Sequence, residues 1–185
     1  MRIELLDLEY NKASITPSDI NEHLPTLYEY AKQCESVTEM GVRSCVATWA
    51  FIKGCKSYVG YDMFKHPNMD RVKQVNPDAK FIIADVLEVD IEPTDFLFID
   101  TFHTATQLER ELARHASKAK KFIGFHDTTT FWEKGESPYH GMGGKGVDCG
   151  RGLRYALEPF LLNNPEWKVA YRTGNNNGLT IIRRA

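Results

Sequence analysis

Five short apolar runs, set apart by longer stretches of mixed polarity, organise the middle of the chain. They are Val37–Val42, Tyr58–Tyr61, Phe81–Ala84, Phe96–Ile99 and Phe122–Phe125. All are short enough for buried strands, and the first, second and fifth carry β-branched or aromatic residues. The segments between them can be helices. The clearest starts at Thr104, where Gln107 completes a capping box and Leu108, Leu112 and Ala116 share one face. Strands that alternate with helices predict βαβ units, and hence a parallel sheet with helices on both sides.

The two ends of the chain read differently. The first forty residues predict helices. Thr16-Pro17-Ser18-Asp19 has the form of a helix start: a capping hydroxyl, a proline at the first helical position and an acid at the third. Pro25 breaks that helix and opens another, whose apolar face is Leu24, Leu27, Tyr28 and Ala31. Near the other end, a polar, glycine-rich stretch runs from Thr128 to Gly152. A helix with Leu153, Leu157, Phe160 and Leu161 on one stripe follows, closed by Asn163-Asn164-Pro165. Trp167–Tyr171 and Leu179–Ile182 then read as strands. The turn-prone Gly174–Gly178 between them is too short to cross a sheet, so they form an antiparallel hairpin.

The expected fold is therefore α/β: a Rossmann-like, doubly wound and mostly parallel sheet with an antiparallel C-terminal strand, plus N-terminal helices. At 185 residues the chain suits one domain, with residues 1–36 as a helical extension and 128–152 as a loop that could serve as a lid.

Composition narrows the partners. Hydrophobic residues are 42%, charged residues 26% and the net charge is −2, so no overall field draws the molecule to nucleic acid or an anionic membrane. The Lys118, Lys120, Lys121 cluster reads as a solvated helix end. No run approaches the roughly 20 apolar residues of a membrane span, and Met1–Tyr10 lacks the apolar core of a signal peptide. Cysteines 34, 45, 55 and 149 show no paired spacing. They read as reduced thiols of a cytoplasmic protein.

The acids carry the functional signal. Glu39, Asp62, Asp85, Asp100 and Asp127 stand in or just after the five successive apolar runs. In a doubly wound sheet the carboxyl ends of the strands line one crevice, where ligands bind. A single acid there can be a turn or cap residue; five in series favour a ligand that wants carboxylates. A dinucleotide site needs three glycines for close approach to a pyrophosphate. Here Glu39-Met40-Gly41-Val42-Arg43-Ser44-Cys45 supplies Gly41 only, with Arg43 where the second glycine would be. S-adenosylmethionine has no phosphate, and its sulfonium, ammonium, ribose diol and adenine all suit carboxylates.

At these positions the chain resembles the class I S-adenosylmethionine-dependent methyltransferases. Glu39-x-Gly41, Asp62 and Asp85 match their nucleotide-binding pattern. Phe98-Ile99-Asp100-Thr101-Phe102-His103 and Gly124-Phe125-His126-Asp127-Thr128 look like the small bacterial and phage branch related to cephalosporin-hydroxylase-type and sugar O-methyltransferases. The resemblance spans Val37 to Arg183 and departs from the family at Ser44 and Cys45, where a second glycine is usual.

The resemblance implies a cofactor site made of Glu39, Gly41, Val42, Arg43, Ser44, Asp62, Met63, Asp85, Val86 and Asp100. Asp62 would bind the ribose hydroxyls, Asp85 the adenine amino group with Val86 against the ring, and Glu39 the methionine amino group or the loop. The chemistry would fall to Asp100, His103, His126 and Asp127. Related enzymes hold a divalent metal, magnesium or manganese, at the positions of Asp100, His126 and Asp127, where it lowers the pKa of the attacking hydroxyl. An imidazole in that set suits softer ions than magnesium. Without a metal, His103 or His126 would be the general base. His23, His66, His115 and His140 lack such neighbours and read as surface residues.

The implied partner is a small polyhydroxylated or sugar-like acceptor, with homo-oligomerisation open. Gly141–Gly146 lacks the spacing of a phosphate loop, so residues 128–152 suit a lid, with Trp132, Glu133, Tyr139 and Arg151 as acceptor contacts and Asn175–Asn177 at the same mouth. Three other readings stand beside this one. They are an NAD(P)-dependent oxidoreductase on the same fold, a non-catalytic cofactor-binding module, and metal chemistry without the cofactor.

Overall fold

The computed structural model describes residues 2–137 and 150–185. Tyr139, His140, the Gly141–Gly146 run and Cys149 lie outside the described residues, and with them the middle of the expected lid. The described chain begins with α1 (Arg2–Ile15), a 3₁₀ turn (Asn21–His23) and α2 (Leu24–Ala31). Strands and helices then alternate: β1 (Ser36–Met40), α3 (Val46–Gly54), β2 (Ser57–Asp62), α4 (Pro67–Val75), β3 (Lys80–Ile83), β4 (Thr94–Ile99), α5 (Ala105–His115) and β5 (Ala119–His126). The chain closes with α6 (Arg154–Asn163), β6 (Trp167–Thr173) and β7 (Leu179–Arg184). No helix among the described residues is long and apolar enough to cross a membrane.

The strands form one sheet in the order β3-β2-β1-β4-β5-β7-β6. β1 to β5 pair in parallel, and β7 runs antiparallel to both β5 and β6. The expected α/β fold is therefore present. One detail differs: the antiparallel strand is not at the margin but tucked between β5 and β6, leaving β6 as the edge. The reason is the hydrophobicity of β7, whose Leu179, Ile181 and Ile182 are fully buried, whereas much of β6 is exposed.

β4 is buried along its whole length, and its side chains divide by the period of two. Phe96 and Phe98 join α2, α3 and α4 in the core on one face. Leu97 and Ile99 join α5 and α6 in the core on the other. Covering both faces is what a parallel sheet requires.

Two N-terminal expectations are corrected. Thr16-Pro17-Ser18-Asp19 does not open a long helix but follows α1 and leads only into the 3₁₀ turn. Ser18 Oγ accepts from the amides of Ile20 (3.3 Å) and Asn21 (3.0 Å), while Asn21 Oδ1 accepts from Ser18 N at 2.9 Å. The capping hydroxyl is therefore that of Ser18, not the expected Thr16, whose Oγ1 donates back to Lys12 O at 2.7 Å, and Pro25 at the start of α2 limits the structure to one turn. His23 and His115 are buried, not at the surface. His23 Nε2 lies 3.0 Å from Asn176 O and His115 Nε2 2.7 Å from Val86 O, contacts across the fold that local pattern does not reveal. His66 caps α4 through Nδ1.

The capping hydroxyl of Thr104 accepts from Gln107 N at 3.2 Å, as its position predicts. The Gln107 side chain does not return to complete the box; it donates to Glu111 Oε1 at 2.8 Å.

Candidate active site

The carboxyl ends of β1 to β4 and the loop after β5 face a cavity of about 690 Å³, a size typical of small-molecule sites. Gly41 makes this crevice possible. Its φ is +84°, and a Cβ there would lie 1.9 Å from the carbonyl oxygen of Asp100. The loop after β1 thus crosses directly over the end of β4, held by Asp100 N donating to Met40 O (2.8 Å) and Gly41 N to Tyr61 O (2.9 Å). Only glycine tolerates both the conformation and the contact.

Of the expected cofactor residues, Gly41, Arg43, Asp62, Met63, Asp85, Val86 and Asp100 line the cavity. Asp62 accepts from Arg43 N at 2.7 Å and from Phe64 N at 2.9 Å, one bond to each carboxylate oxygen. Two backbone amides therefore fix its orientation, and each oxygen keeps a lone pair for a ligand. Asp85 Oδ1 is held by Leu87 N at 2.8 Å.

Glu39, Val42 and Ser44 do not line the cavity. Glu39 Oε2 accepts from Thr48 Oγ1 at 2.7 Å and from the Tyr58 hydroxyl, both buried. Burial pushes its pKa up to about 8 despite these two bonds, so it is a mostly protonated group beneath the loop. Val42 packs in the core, and the exposed Ser44 is anchored through its carbonyl oxygen to Asn68 Nδ2 (2.8 Å).

The four expected catalytic residues meet in one cluster. His103 Nε2 lies 3.1 Å from both Asp100 Oδ1 and Asp127 Oδ2, and His126 Nδ1 lies 3.2 and 3.3 Å from the same two oxygens. Asp127 holds its place with a left-handed backbone, φ +58°, an uncommon conformation of the kind that gathers at functional sites. His103 Nδ1 lies 2.8 Å from Glu136 Oε2, and its ring stacks on Phe131.

Burial alone would lower both histidines, but hydrogen bonds to the carboxylates prevail. His103 rises to about 9 and His126 to about 10. Burial would likewise raise Asp100, yet the bonds from the two imidazoles hold it well below the usual carboxylate range. The geometry requires the same of His126. Its Nδ1 faces carboxylates and its Nε2 faces the carbonyl of Asn176 at 3.2 Å, groups that only accept, so both nitrogens carry hydrogens.

His126 has zero solvent exposure and does not line the cavity. The ligand atoms that converge within 4.8 Å of one another are those of Asp100, His103 and Asp127. Asp100, His103 and Asp127 line the cavity; His126 stands behind them.

Two lining residues carry no local signal in the sequence. Asp19 reads as a helix-start acid and Glu136 as part of a polar stretch, yet both face the cavity, as does Asn177, which was expected at its mouth. Asp19 Oδ2 lies 2.6 Å from Arg43 Nη1. Of the expected acceptor contacts, Trp132, Glu133 and Arg151 are described but are not among the lining residues. Trp132 stacks under Arg172 and Glu133 pairs with Arg154.

No family model matches the chain, and no curated protein matches its sequence. Solved structures do match in fold. An N-methyltransferase, NodS from Bradyrhizobium japonicum bound to S-adenosyl-L-homocysteine, superimposes with a TM-score of 0.62 at 14% identity, over 99% of this chain and 98% of that one. A protein from Klebsiella pneumoniae proposed to be an O-methyltransferase gives 0.64 at 12% identity, over 99% and 89%. The 1,6-didemethyltoxoflavin-N1-methyltransferase of Burkholderia thailandensis gives 0.63 at 12%, over 91% and 79%. By strand order, by the single antiparallel strand and by superposition, this chain has the fold of the class I S-adenosylmethionine-dependent methyltransferases.

Proposed function

We propose that the protein is an S-adenosylmethionine-dependent methyltransferase acting on a hydroxyl group of a small polyhydroxylated molecule. The observation that carries this reading is the acid-lined cavity, in which Asp62, Asp85 and Asp100 face one space without a phosphate cradle. Carboxylates there favour a sulfonium and an ammonium group and repel a diphosphate, which speaks against NAD or NADP. S-adenosyl-L-homocysteine in the NodS structure supports the cofactor. The oxygen acceptor rests on the sequence resemblance, since N-methyltransferases also share the fold.

In this reading Asp62 binds the ribose diol, Asp85 the adenine amino group, and Val86 packs against the ring. The cofactor supplies an electrophilic methyl group to the acceptor oxygen. The chain aligns the two in line, which is where most of the acceleration arises. Without a metal, His103 Nε2 accepts the hydroxyl proton only as the neutral imidazole, a minor form at neutral pH because its bonds to the carboxylates raise its pKa to about 9.

The donor set fits a divalent ion. With its Nδ1 proton given to Glu136, His103 would turn the Nε2 lone pair toward Asp100 and Asp127, an arrangement that orients metal-binding imidazoles elsewhere. Two carboxylates and one imidazole suit manganese better than magnesium. Such an ion would lower the pKa of the acceptor hydroxyl and displace the proton from His103.

Calorimetric titration with S-adenosylmethionine and S-adenosylhomocysteine, with and without manganese or magnesium, tests the proposal, with NAD and NADP as controls. Binding of the adenosyl ligands, weakened at least tenfold by Asp62→Ala, is the expected result. Binding of neither, or binding of NAD or NADP instead, would overturn it.

A further inference from the structure

The Arg43–Asp19 ion pair has no role in the chemistry above, yet both side chains line the cavity. Arg43 belongs to the loop after β1. Its amide is bonded to Asp62, and its guanidinium lies in the fields of Asp100 and Asp127. That position is between the ribose-binding end of the crevice and the His–Asp cluster. The methionine moiety of the cofactor must occupy the same stretch, and its α-carboxylate needs a cationic partner in a cavity otherwise rich in acids. Arg43 is the cation on that loop.

Asp19 comes from a different element, the segment between α1 and α2. That segment is held over the crevice by the β6–β7 turn. Asn176 Oδ1 accepts from Glu22 N (3.1 Å), Asn176 Nδ2 donates to Ser18 O (2.8 Å), and Asn175 Nδ2 donates to Glu22 Oε2 (2.6 Å). Asp19 is thus delivered to Arg43 by a built contact.

We propose that Asp19 is an internal stand-in for the cofactor's α-carboxylate: it pairs with Arg43 and must give it up when the cofactor binds. This rests on the methyltransferase reading. It makes Arg43 the partner of the methionine carboxylate and Asp19 a competitor that weakens cofactor affinity and ties the position of the 16–23 segment to occupancy.

The test compares two ligands by calorimetry on the full chain. S-adenosylhomocysteine has the α-carboxylate, and 5′-methylthioadenosine shares the adenosine but lacks it. Asp19→Asn, a near-isosteric change at a half-exposed position, should tighten S-adenosylhomocysteine binding three- to tenfold and leave 5′-methylthioadenosine unchanged. Arg43→Gln should weaken the first at least tenfold and the second by less than twofold. Equal effects on both ligands, or weaker S-adenosylhomocysteine binding in Asp19→Asn, would overturn the proposal. If neither ligand binds the unaltered protein, the methyltransferase reading itself fails, a result distinct from binding that ignores Asp19.

Discussion

Gly41 and the His–Asp cluster show how much of the site depends on single residues. Gly41→Ala would force a Cβ into the Asp100 carbonyl at a positive φ. The expected cost is about 2–3 kcal/mol of stability, read as a lower urea midpoint at unchanged slope, together with loss of adenosyl-ligand binding. A substitution within about 0.5 kcal/mol of the parent would refute this account of the crevice. The cluster makes a pH prediction. His103 and His126 titrate near 6.5 when unfolded but at about 9 and about 10 when folded. A raised folded pKa gives stability that is complete below the unfolded value and disappears as pH climbs through the folded one. Buried Glu39, raised to about 8, and Glu111, raised to about 7, act in the same direction but from a lower pH, losing their contribution from about 4.5 upward. Stability should therefore fall between pH 6.5 and pH 10, by more than about 1 kcal/mol, in denaturant titrations at the two ends. A flat or rising profile would mean that the imidazoles are not ion-paired.

At the level of elements, α5 is the most informative, because it starts immediately after the loop that holds Asp100 and His103. Thr104 is fully buried, and its hydroxyl caps the helix at Gln107 N. Thr104→Ala should cost about 1 kcal/mol, whereas Thr104→Ser, which keeps the hydroxyl, should recover most of that loss in thermal melts. Equal losses for both would show that packing of the methyl, not capping, matters there. The strands were legible for a similar reason. Phe96–Ile99 and Phe122–Phe125 are apolar on both faces, as a sheet covered on both sides demands. A capping hydroxyl in this segment was legible, but not that Ser18 instead of Thr16 supplies it, nor its reach, because Pro25 and contacts with Asn176, more than 150 residues away in the chain, decide where the turn ends.

Over the whole molecule, the β6–β7 turn ties the N-terminal segment to the cavity side of the sheet. The Asn176 carbonyl is shared by His23 and His126, and its side chain is bonded to Ser18 and Glu22. Asn176 has φ +45°, so Asn176→Gly removes the side-chain bonds without straining the backbone. Hydrogen exchange at residues 16–23 should then rise at least tenfold, while β4 and β5 remain protected. Unchanged exchange at 16–23 would show that the segment is held by its apolar contacts, Ile20 chief among them, instead of by the turn.

The sequence by itself determined the order of strands and helices, the hairpin at the end and the row of acids at the strand ends. These follow from local periodicity and from turn chemistry, which act over a few residues. It also singled out Asp100, His103, His126 and Asp127 as a group. Only the tertiary structure decided which imidazole faces the cavity, because His103, three residues after Asp100, and His126, next to Asp127, both read as partners of an acid, and what their second nitrogens meet, Glu136 and the Asn176 carbonyl, lies far away in the chain. Glu136 and Asp19 entered the site in the same way. Each comes from a segment whose own pattern describes a turn or a cap, and long-range packing alone brings it to the crevice.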